Sequence, residues 1–371
     1  MKGKVPANFP INSSGKGWSN GSFVNDITTT TNMEWFRILK LFLYTTIFMI
    51  SATGNSLVCV IILRRKKMKT VTNYFILNLA IADLALTCIC IPFDIPVQEM
   101  DYAWPYGAFM CKFLYPLQTL TLFASIYTLT AVSLTRYWAI VHPLRVQLSI
   151  AKTKVVIVII WIGSLVPIVP YMNSLNLKNN SCEELWKSSD IRSIYTVCLF
   201  VFQYILPLMI IATAYTGIAG EMRRRDNSYD NCPMRQMQVR ETRKVVKMLL
   251  VVTICFALCV LPNNIMWLWL DFGQADQHIS YFWELLAFCN IITFANSAAN
   301  PICYTALNDN YRREFKRYLI IMFCKKKSTI LLRRLSTMTT SVRKSMNKSS
   351  KEEYFGVQLD KVPPRLVGVT V

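Results

Sequence analysis

The stretch "AVSLTRYWAIVHPLRV", residues 131–146, stands where a long apolar run meets a permanently charged side chain. The run, residues 113–134, holds 22 residues without Asp, Glu, Lys or Arg. A helix needs about 20 apolar residues to cross a hydrocarbon core of about 30 Å. The pattern predicts a membrane-spanning helix that ends close to Arg136, and it raises the question of what a guanidinium does at that depth.

Six further runs of similar length occur along the chain, at residues 41–63, 74–97, 155–172, 194–220, 248–270 and 285–307. Only the run 74–97 contains charges, Asp83 and Asp94. Buried helices of a soluble protein would give runs of about 10–14 residues. With 53% hydrophobic and 17% charged residues, the chain is predicted to be an all-α membrane protein, a seven-transmembrane helix bundle.

The net charge of +20 is distributed unevenly between the loops. Bases crowd residues 64–69, 145–154 and 223–247, and the alternate loops hold mostly acids: Glu99, Asp101, Glu183, Glu184, Asp190, Asp271, Asp276 and Glu284. Loops rich in Lys and Arg stay on the cytoplasmic side. We expect a multi-pass plasma-membrane protein with an extracellular N-terminus and a cytoplasmic C-terminus. The bases then face the lipid bilayer, and this distribution excludes a nucleic-acid partner.

The outer tail, residues 1–33, is rich in Asn, Ser, Thr and Gly and is predicted to be disordered and extracellular. It contains no apolar signal-peptide segment, so the first span is expected to act as its own insertion signal. Glycosylation sequons at Asn12, Asn20 and Asn179 all fall on the outer side. A fourth sequon, at Asn347 on the inner side, shows that such triplets also arise by chance.

The rest of the chain divides into three parts. Residues 34–307 form the predicted seven-span domain. Residues 308–324 carry apolar side chains at helical spacing with bases between them, which predicts a short amphipathic eighth helix on the inner leaflet. Cys324, at its end, is a candidate palmitoylation site. Residues 325–371 are predicted to be a disordered cytoplasmic tail.

Six polar residues lie inside the spans, where a central Asp costs about 2.5–3.5 kcal/mol. They are Asn55, Asp83, Ser125, Asn296, Ser297 and Asn300. The residues alone leave two alternatives open: a polar network that holds helices together, or a cation site centred on Asp83.

Prolines in five spans predict kinks, which a transporter would also have, although no inverted repeat is visible. Cys111 and Cys182 flank outer loops, so a disulfide between them is topologically possible.

Short motifs fall in order, one set in each span. They are "GNSLV" (54–58), "NLAIADL" (78–84), Cys111, "SLTRYWAIVHPL" (133–144), Trp161, Pro207 with Tyr215, "FALCVLP" (256–262) and "NSAANPICY" (296–304). Together they resemble the fingerprints of rhodopsin-like G-protein-coupled receptors, over residues 34–324. The resemblance implies an outward-opening pocket, an inner cavity for a heterotrimeric G protein, and a Cys111–Cys182 bridge.

The resemblance also assigns roles to the inner residues. Arg136 and Tyr137 would form the inner end of the third helix, where the arginine meets the G protein in the active state. Tyr215 and Tyr304 would hold the arginine there, because a guanidinium offers five fixed donors. Arrestin is expected to bind the phosphorylated C-terminal tail.

The family resemblance also implies that sodium is the ion of the polar centre. Its expected ligands are Asp83, Ser125, Asn296, Ser297 and Asn300. No other cofactor is expected.

Two departures from the family pattern concern activation. The acid that usually precedes the arginine is Thr135 here, and the sixth-helix acid is replaced by Thr242, beside Glu241. The usual sixth-helix tryptophan is Val260. The resting lock is therefore expected to be weak, and a constitutively active receptor without agonist stays open as an alternative, as does a transporter or channel.

The pocket residues indicate the kind of ligand. Residues 285–307 contain no lysine for retinal, and Gln118 replaces the acid of amine receptors. Gln118, the "WPYG" of residues 104–107 and the acidic rim resemble receptors of the neuropeptide Y, neuropeptide FF and RFamide kind. A basic amidated neuropeptide is therefore the expected ligand. The predicted pocket residues are Gln118, Thr121, Leu122, Asn263, Asn264 and Trp267.

Asp271 is predicted to bind an arginine of the ligand, with Asp94 and Glu183 as alternatives. The loop from Asp271 to Glu284 holds no Lys or Arg to neutralise it. Trp267 could instead belong to a membrane-interface belt of aromatics. No enzyme activity is expected, because the only histidines, His142 and His278, fall on opposite sides of the membrane.

Overall fold

A computed structural model describes residues 20–100, 103–226 and 233–323. Its helices are α1 Asn20–Arg64, α2 Val71–Ala85, α3 Ile91–Glu99, α4 Gly107–Val141, α5 Ile150–Leu165, α6 Ile168–Ser174, α7 Ser189–Phe200, α8 Leu206–Asp226, α9 Pro233–Gly273, α10 Ala275–His278, α11 Phe282–Leu307 and α12 Asp309–Phe323. Two strands, β1 Leu175–Lys178 and β2 Ser181–Glu184, form an antiparallel hairpin. A short 3₁₀ turn, Lys66–Met68, links α1 to α2.

Within the described residues, seven helical segments are long and apolar enough to cross a membrane, which confirms the predicted architecture. They are Glu34–Arg64, Val71–Glu99, Gly107–Val141, Ile150–Ser174, Ser189–Arg224, Val239–Gly273 and Phe282–Leu307. We refer to them as the first to the seventh span. Each is longer than its apolar run, because the backbone hydrogen bonds of a helix continue past the hydrocarbon core into polar residues.

The start of α1 differs from the sequence-based expectation. The helix begins at Asn20, so residues 20–33 are helical where a disordered tail was predicted. This extension has a physical basis, because adding a residue to an existing helix costs far less than nucleating a new one. Asn12, Cys324 and the whole predicted cytoplasmic tail, residues 325–371, lie outside the described residues.

Two spans contain five-residue π-helical segments, Leu86–Cys90 and Val201–Ile205. Each precedes a proline, Pro92 and Pro207 respectively. A proline lacks the backbone N–H and its ring crowds the carbonyl four residues earlier, so the hydrogen-bond ladder is disturbed at that point. These segments join α2 to α3 within the second span and α7 to α8 within the fifth.

Close contacts between small and polar residues hold the spans together. A Cβ on Gly54 would lie 2.6 Å from Cγ of Pro301, so the first and seventh spans approach closely at this glycine. Asn55 Nδ2 donates to the Ser297 carbonyl at 3.0 Å. Asn78 donates to Thr128 at 2.8 Å and accepts from Trp161 at 2.8 Å, which links the second, third and fourth spans.

The β1–β2 hairpin lies in the second outer loop. Its register pairs Leu177 with Cys182, and a disulfide joins Cys182 to Cys111 at the start of the third span. The disulfide implied by the family resemblance is thus present. Asn179 lies exposed at the hairpin turn with a positive φ of 49°, a conformation that asparagine tolerates.

The seven spans belong to a compact unit that ends at Arg312, and a second unit begins at Arg313. The helix α12, Asp309–Phe323, corresponds to the predicted eighth helix. In its first turn, Tyr311 is 1% exposed and its hydroxyl donates to Asn73 Oδ1 at 3.1 Å. Burial raises the pKa of Tyr311, so the phenol stays protonated and keeps this donor.

Candidate ligand-binding and signalling sites

A polar network connects four spans in the outer half of the bundle. Gln118, in the third span, donates to Asn290 Oδ1 of the seventh span at 2.7 Å. Asn290 Nδ2 in turn donates to Asp94 Oδ2 of the second span at 3.4 Å. The predicted pocket residue Gln118 and the alternative acid Asp94 are therefore joined. Sequence reasoning missed Asn290, because a single amide in an apolar run gives no periodic signal.

Asp94 itself is 7% exposed and accepts two further hydrogen bonds. The Tyr44 hydroxyl of the first span donates at 3.0 Å, and Gln98 Nε2 donates at 2.8 Å. Gln98 Nε2 also lies 2.7 Å from the Tyr44 hydroxyl. Within the described residues, the three donors to Asp94 are all neutral, so no cation in hydrogen-bond contact offsets the charge of a carboxylate at this position.

The other predicted pocket residues divide into packed and accessible ones. Thr121 and Leu122 are buried, and the Thr121 hydroxyl donates to the Gln118 carbonyl at 2.8 Å. Asn263 and Asn264 are half-buried on the sixth span. The Asn264 Nδ2 atom is buried and finds no partner within the described residues. Asn264 therefore offers a donor, whereas Thr121 serves packing.

Trp267 packs against a buried cluster of the sixth and seventh spans that includes Phe282 and Leu286. Trp269, by contrast, is 42% exposed. Trp267 therefore packs between helices, and the membrane-interface interpretation fits the exposed Trp269.

Asp271 is not free, contrary to the sequence-based expectation. Its side chain is 2% exposed, and Arg192 of the fifth span pairs with it at 2.8 Å. The Thr196 hydroxyl donates to its second oxygen. The neutralising base comes from a different span and not from the loop next to Asp271, so the composition of that loop could not reveal it. Arg192 also approaches Glu184 at 3.9 Å.

Glu183 is half-buried on β2 and pairs in register with Asn176. The neighbouring Glu184 accepts from Trp186 Nε1 at 3.0 Å and faces Arg192. Because successive side chains of a strand point to opposite faces, Glu183 does not share this direction. The acid that the hairpin contributes to the Arg192 cluster is Glu184, one residue from the predicted one.

At the inner end, Arg136 is half-buried and forms no ion pair within the described residues. Its Nε atom is buried without a hydrogen-bond partner, and Tyr215 lies near enough to act on its charge electrostatically. Thr135 does not contribute a contact, because its hydroxyl donates to the Ala131 carbonyl of its own helix at 2.6 Å. The missing acid leaves the arginine without a local counter-charge.

Tyr137 packs against the fifth span. A Cβ added to Gly217 would lie 2.5 Å from Cε2 of the Tyr137 ring. The Tyr137 ring therefore fills the space beside Gly217, and the inner ends of the third and fifth spans are in direct contact there.

A cleft at the inner face includes the Arg136 side chain and lies between the third, sixth and seventh spans. Its lining residues are Arg136, Glu241, Thr242, Lys244, Val245, Asn308 and Asn310. Glu241 belongs to the wall but pairs with Lys244 at 3.1 Å, and Lys244 also contacts Asp309 at 2.8 Å. The acid next to Thr242 thus pairs with a lysine instead of with Arg136.

Tyr215 and Tyr304 are buried, at 8% and 0% exposure. The Tyr304 hydroxyl finds no partner within the described residues, and its ring lies 5.6 Å from that of Tyr311. Phe256 and Val260 are also buried in the sixth span. Of the two tyrosines, Tyr215 lies near Arg136, whereas the Tyr304 ring packs on Tyr311.

The polar centre surrounds Asp83, which is 2% exposed and accepts from Asn300 Nδ2 at 2.8 Å. Ser297 lies beside the same carboxylate, and Ser125 is 4% exposed. Four buried oxygens on the residues of this centre lack a hydrogen-bond partner within the described residues: Asn55 Oδ1, Asn296 Oδ1, Ser297 Oγ and Asn300 Oδ1. One carboxylate with several neutral oxygens is a hard donor set, which fits a small hard cation.

The fold and these two ends define a seven-helix membrane receptor. The family model of the 7 transmembrane receptors (rhodopsin family) matches residues 54–304. Galanin receptor type 1 of Rattus norvegicus is 33% identical over 298 residues, which cover 78% of this chain and 84% of that receptor. The Substance-P receptor of Mus musculus is 36% identical over 310 residues, 79% of this chain and 75% of the other.

Galanin receptor 2b of Danio rerio is 33% identical over 291 residues, 76% of this chain and 75% of that receptor. The chain belongs to the rhodopsin family of seven-transmembrane receptors, the class A G-protein-coupled receptors. It is a signalling receptor of the multi-pass plasma membrane type, and its relatives include neuropeptide receptors. The transporter alternative is thereby set aside.

Proposed function

We propose that this protein is a receptor for an extracellular, basic and amidated neuropeptide and that it activates a heterotrimeric G protein. The observation that carries the proposal is the polar network at the outer ends of the spans, in which Gln118, Asn290 and Asp94 are joined. A charged acid among neutral donors suits a cationic ligand. The names of the galanin and substance-P receptors, which both refer to peptides, support the peptide class.

At the inner face, the cleft containing Arg136 is the proposed G-protein site, with the N-terminus outside and the C-terminus inside the cell. A buried guanidinium atom without a partner is available to a binding protein. Tyr137, Tyr215 and Tyr304 support the arginine.

Arrestin is proposed to bind the phosphorylated C-terminal tail. The proposed glycosylation sites are Asn12, Asn20 and Asn179. The proposed palmitoylation site is Cys324.

The test is a screen of amidated peptides, with and without basic residues, on cells that express the receptor. G-protein activation is read out at equal surface expression, with Arg136→Ala as the matched control for coupling. A response to basic amidated peptides that Arg136→Ala abolishes supports the proposal. High peptide-independent signalling that no peptide changes would favour the alternative, a constitutively active receptor.

A sodium ion is proposed at Asp83, with Ser125, Asn296, Ser297 and Asn300 around it. The support is the set of buried oxygens without partners at this centre. When bound, the ion would supply positive charge to these oxygens and favour the resting arrangement of the second and seventh spans. The expected result is that sodium lowers agonist affinity in the wild type and not in Asp83→Ala. The same sodium dependence in both proteins would reduce the centre to a structural network.

A further inference from the structure

Asp94 is a carboxylate at bilayer depth whose two oxygens have different surroundings. Tyr44, Gln98 and Asn290 donate to it at 3.0, 2.8 and 3.4 Å, and all three hydrogen bonds end on Oδ2. Within the described residues, Oδ1 receives none. An oxygen without a hydrogen bond is either fully buried or reached by solvent, and Oδ1 is not one of the fully buried atoms without a partner. The residue as a whole is 7% exposed. Oδ1 is therefore the accessible side of this carboxylate.

Gln98 carries a second acceptor on the same side chain that bonds Asp94 Oδ2. Gln98 is one helical turn further along the second span, and its Nε2 is held by Asp94 and Tyr44. Its Oε1 is buried and has no hydrogen-bond partner within the described residues. An accessible carboxylate oxygen and an unpartnered amide oxygen are thus presented four residues apart, on one face of one helix.

The charges around the two outer acids differ. Asp271 is already paired with Arg192 and bonded by Thr196. Among the described residues, Asp94 forms no ion pair; Lys40, one turn before Tyr44, acts on it electrostatically without contact. Of these two outer acids, Asp94 is therefore the one without an ion-pair partner among the described residues. Asn290 connects it to Gln118, so this position is continuous with the predicted pocket.

We propose that Asp94 Oδ1 and Gln98 Oε1 form the subsite for a guanidinium group of the ligand, and that Asp271 does not. A guanidinium carries five donors in a planar fork, which can bond both acceptors at once, whereas an ammonium is a point charge. Charge-assisted hydrogen bonds of this kind are strongest where water is excluded. This subsite deepens the proposed function and rests on it.

The structure provides a near-isosteric test, Asp94→Asn. With its side-chain oxygen in the place of Oδ2, asparagine still accepts from Tyr44, Gln98 and Asn290. Its amide nitrogen then replaces Oδ1, so the accessible atom changes from a charged acceptor to a donor. The fold is retained while the guanidinium subsite is inverted. Asp271→Asn is the matched control, since it removes an outer acid that we assign to the receptor's own Arg192.

The experiment uses the full-length receptor in lipid nanodiscs, with two probes, Arg-Phe-amide and its citrulline analogue, whose binding is followed by saturation-transfer NMR. Citrulline keeps the shape of arginine and loses the charge. We expect wild type and Asp271→Asn to prefer the arginine probe, and Asp94→Asn to bind it about tenfold or more weakly and to show no preference. Thermal unfolding of each variant checks the fold.

If Asp94→Asn does not fold, Gln98→Met is used, because it deletes the second acceptor and leaves two donors on Asp94; the arginine preference should again fall. Equal binding of both probes to wild type, including no binding of either, would overturn the subsite. So would a preference lost in Asp271→Asn and kept in Asp94→Asn. Cells that still respond to amidated peptides in those cases keep the proposed function, whereas a lack of response to every peptide contradicts the function itself.

Discussion

The two ends of the bundle hold their charges in opposite ways. At the outer end, Arg192 of the fifth span and Asp271 of the sixth form an ion pair at 2.8 Å with the acid almost fully buried. At the inner end, Arg136 forms no ion pair within the described residues, and the third and fifth spans meet through Tyr137 and Gly217. Within the described residues, the inner end therefore has no ionic contact to its arginine, whereas an ionic contact joins the fifth and sixth spans at the outer end.

This difference separates structural charges from charges that are available to partners. Asp271, a predicted ligand-binding acid, is paired with Arg192 inside the protein, whereas the hydrogen-bond donors to Asp94 among the described residues are neutral and Arg136 forms no ion pair there. An acid or base without an internal counter-charge costs stability at bilayer depth, so a binding partner gains by neutralising it. We therefore expect the ligand to act at the Asp94 side of the pocket and the G protein at Arg136.

The largest effect is expected from breaking the outer ion pair. Arg192→Gln leaves the Asp271 carboxylate buried with one neutral donor, and loss of a charged hydrogen-bond partner costs about 1.5–3 kcal/mol. The measurement is the melting temperature of the purified receptor. The double variant Arg192→Gln with Asp271→Asn removes the uncompensated charge and should recover most of the loss. If the single and double variants melt alike, the pair does not stabilise the outer end.

A smaller effect is expected at the inner contact of the third and fifth spans. Gly217→Ala would place a methyl group 2.5 Å from the Tyr137 ring, so the ring or the helix must shift. Overpacking of this kind costs about 1–3 kcal/mol, and the lower part of that range applies to a ring that can rotate. Gly220→Ala is the matched control, because nothing lies within 4 Å of its Cβ position.

We expect Gly217→Ala to lower the melting temperature and to change basal G-protein activation, while Gly220→Ala does neither. Equal effects of both substitutions would show that helix propensity, and not the Tyr137 contact, decides. A change in signalling without a change in melting temperature would still support the contact, since Tyr137 borders Arg136 directly in the chain.

The sequence was sufficient for the features that depend on local patterns. Run length predicted the seven spans, and ordered motifs placed Arg136, Asp83 and the Cys111–Cys182 bridge. Contacts between distant spans were not accessible in this way. Arg192 and Asp271 are far apart in the chain, and their pairing depends on how the fifth and sixth spans face each other.

The direction in which a single side chain points could not be predicted from the sequence either. Glu183 and Glu184 differ by one position on a strand, and only the strand's orientation selects Glu184 for the Arg192 cluster. The isolated Asn290 gave no periodic signal, yet it joins Gln118 to Asp94. Residues 20–33 belong to α1, although their polar composition suggests disorder, because an adjoining span can extend a helix through such residues.

The smallest effect in this comparison comes from restoring the acid at the inner end. Thr135 bonds only its own helix, so replacing it by Asp places a carboxylate next to Arg136 without removing an interhelical contact. A partly solvated pair of this kind contributes about 1 kcal/mol or less. That free energy corresponds to a decrease of up to about fivefold in the population of the active state, and basal signalling should fall accordingly at equal surface expression.

Thr135→Val is the control: it removes the hydroxyl, adds no charge and should leave basal signalling unchanged. If Asp at this position raises basal signalling or leaves it constant while Val behaves as expected, the arginine is not released by the missing acid. The outer ion pair of Arg192 and Asp271 would then be the first place to look for the resting restraint.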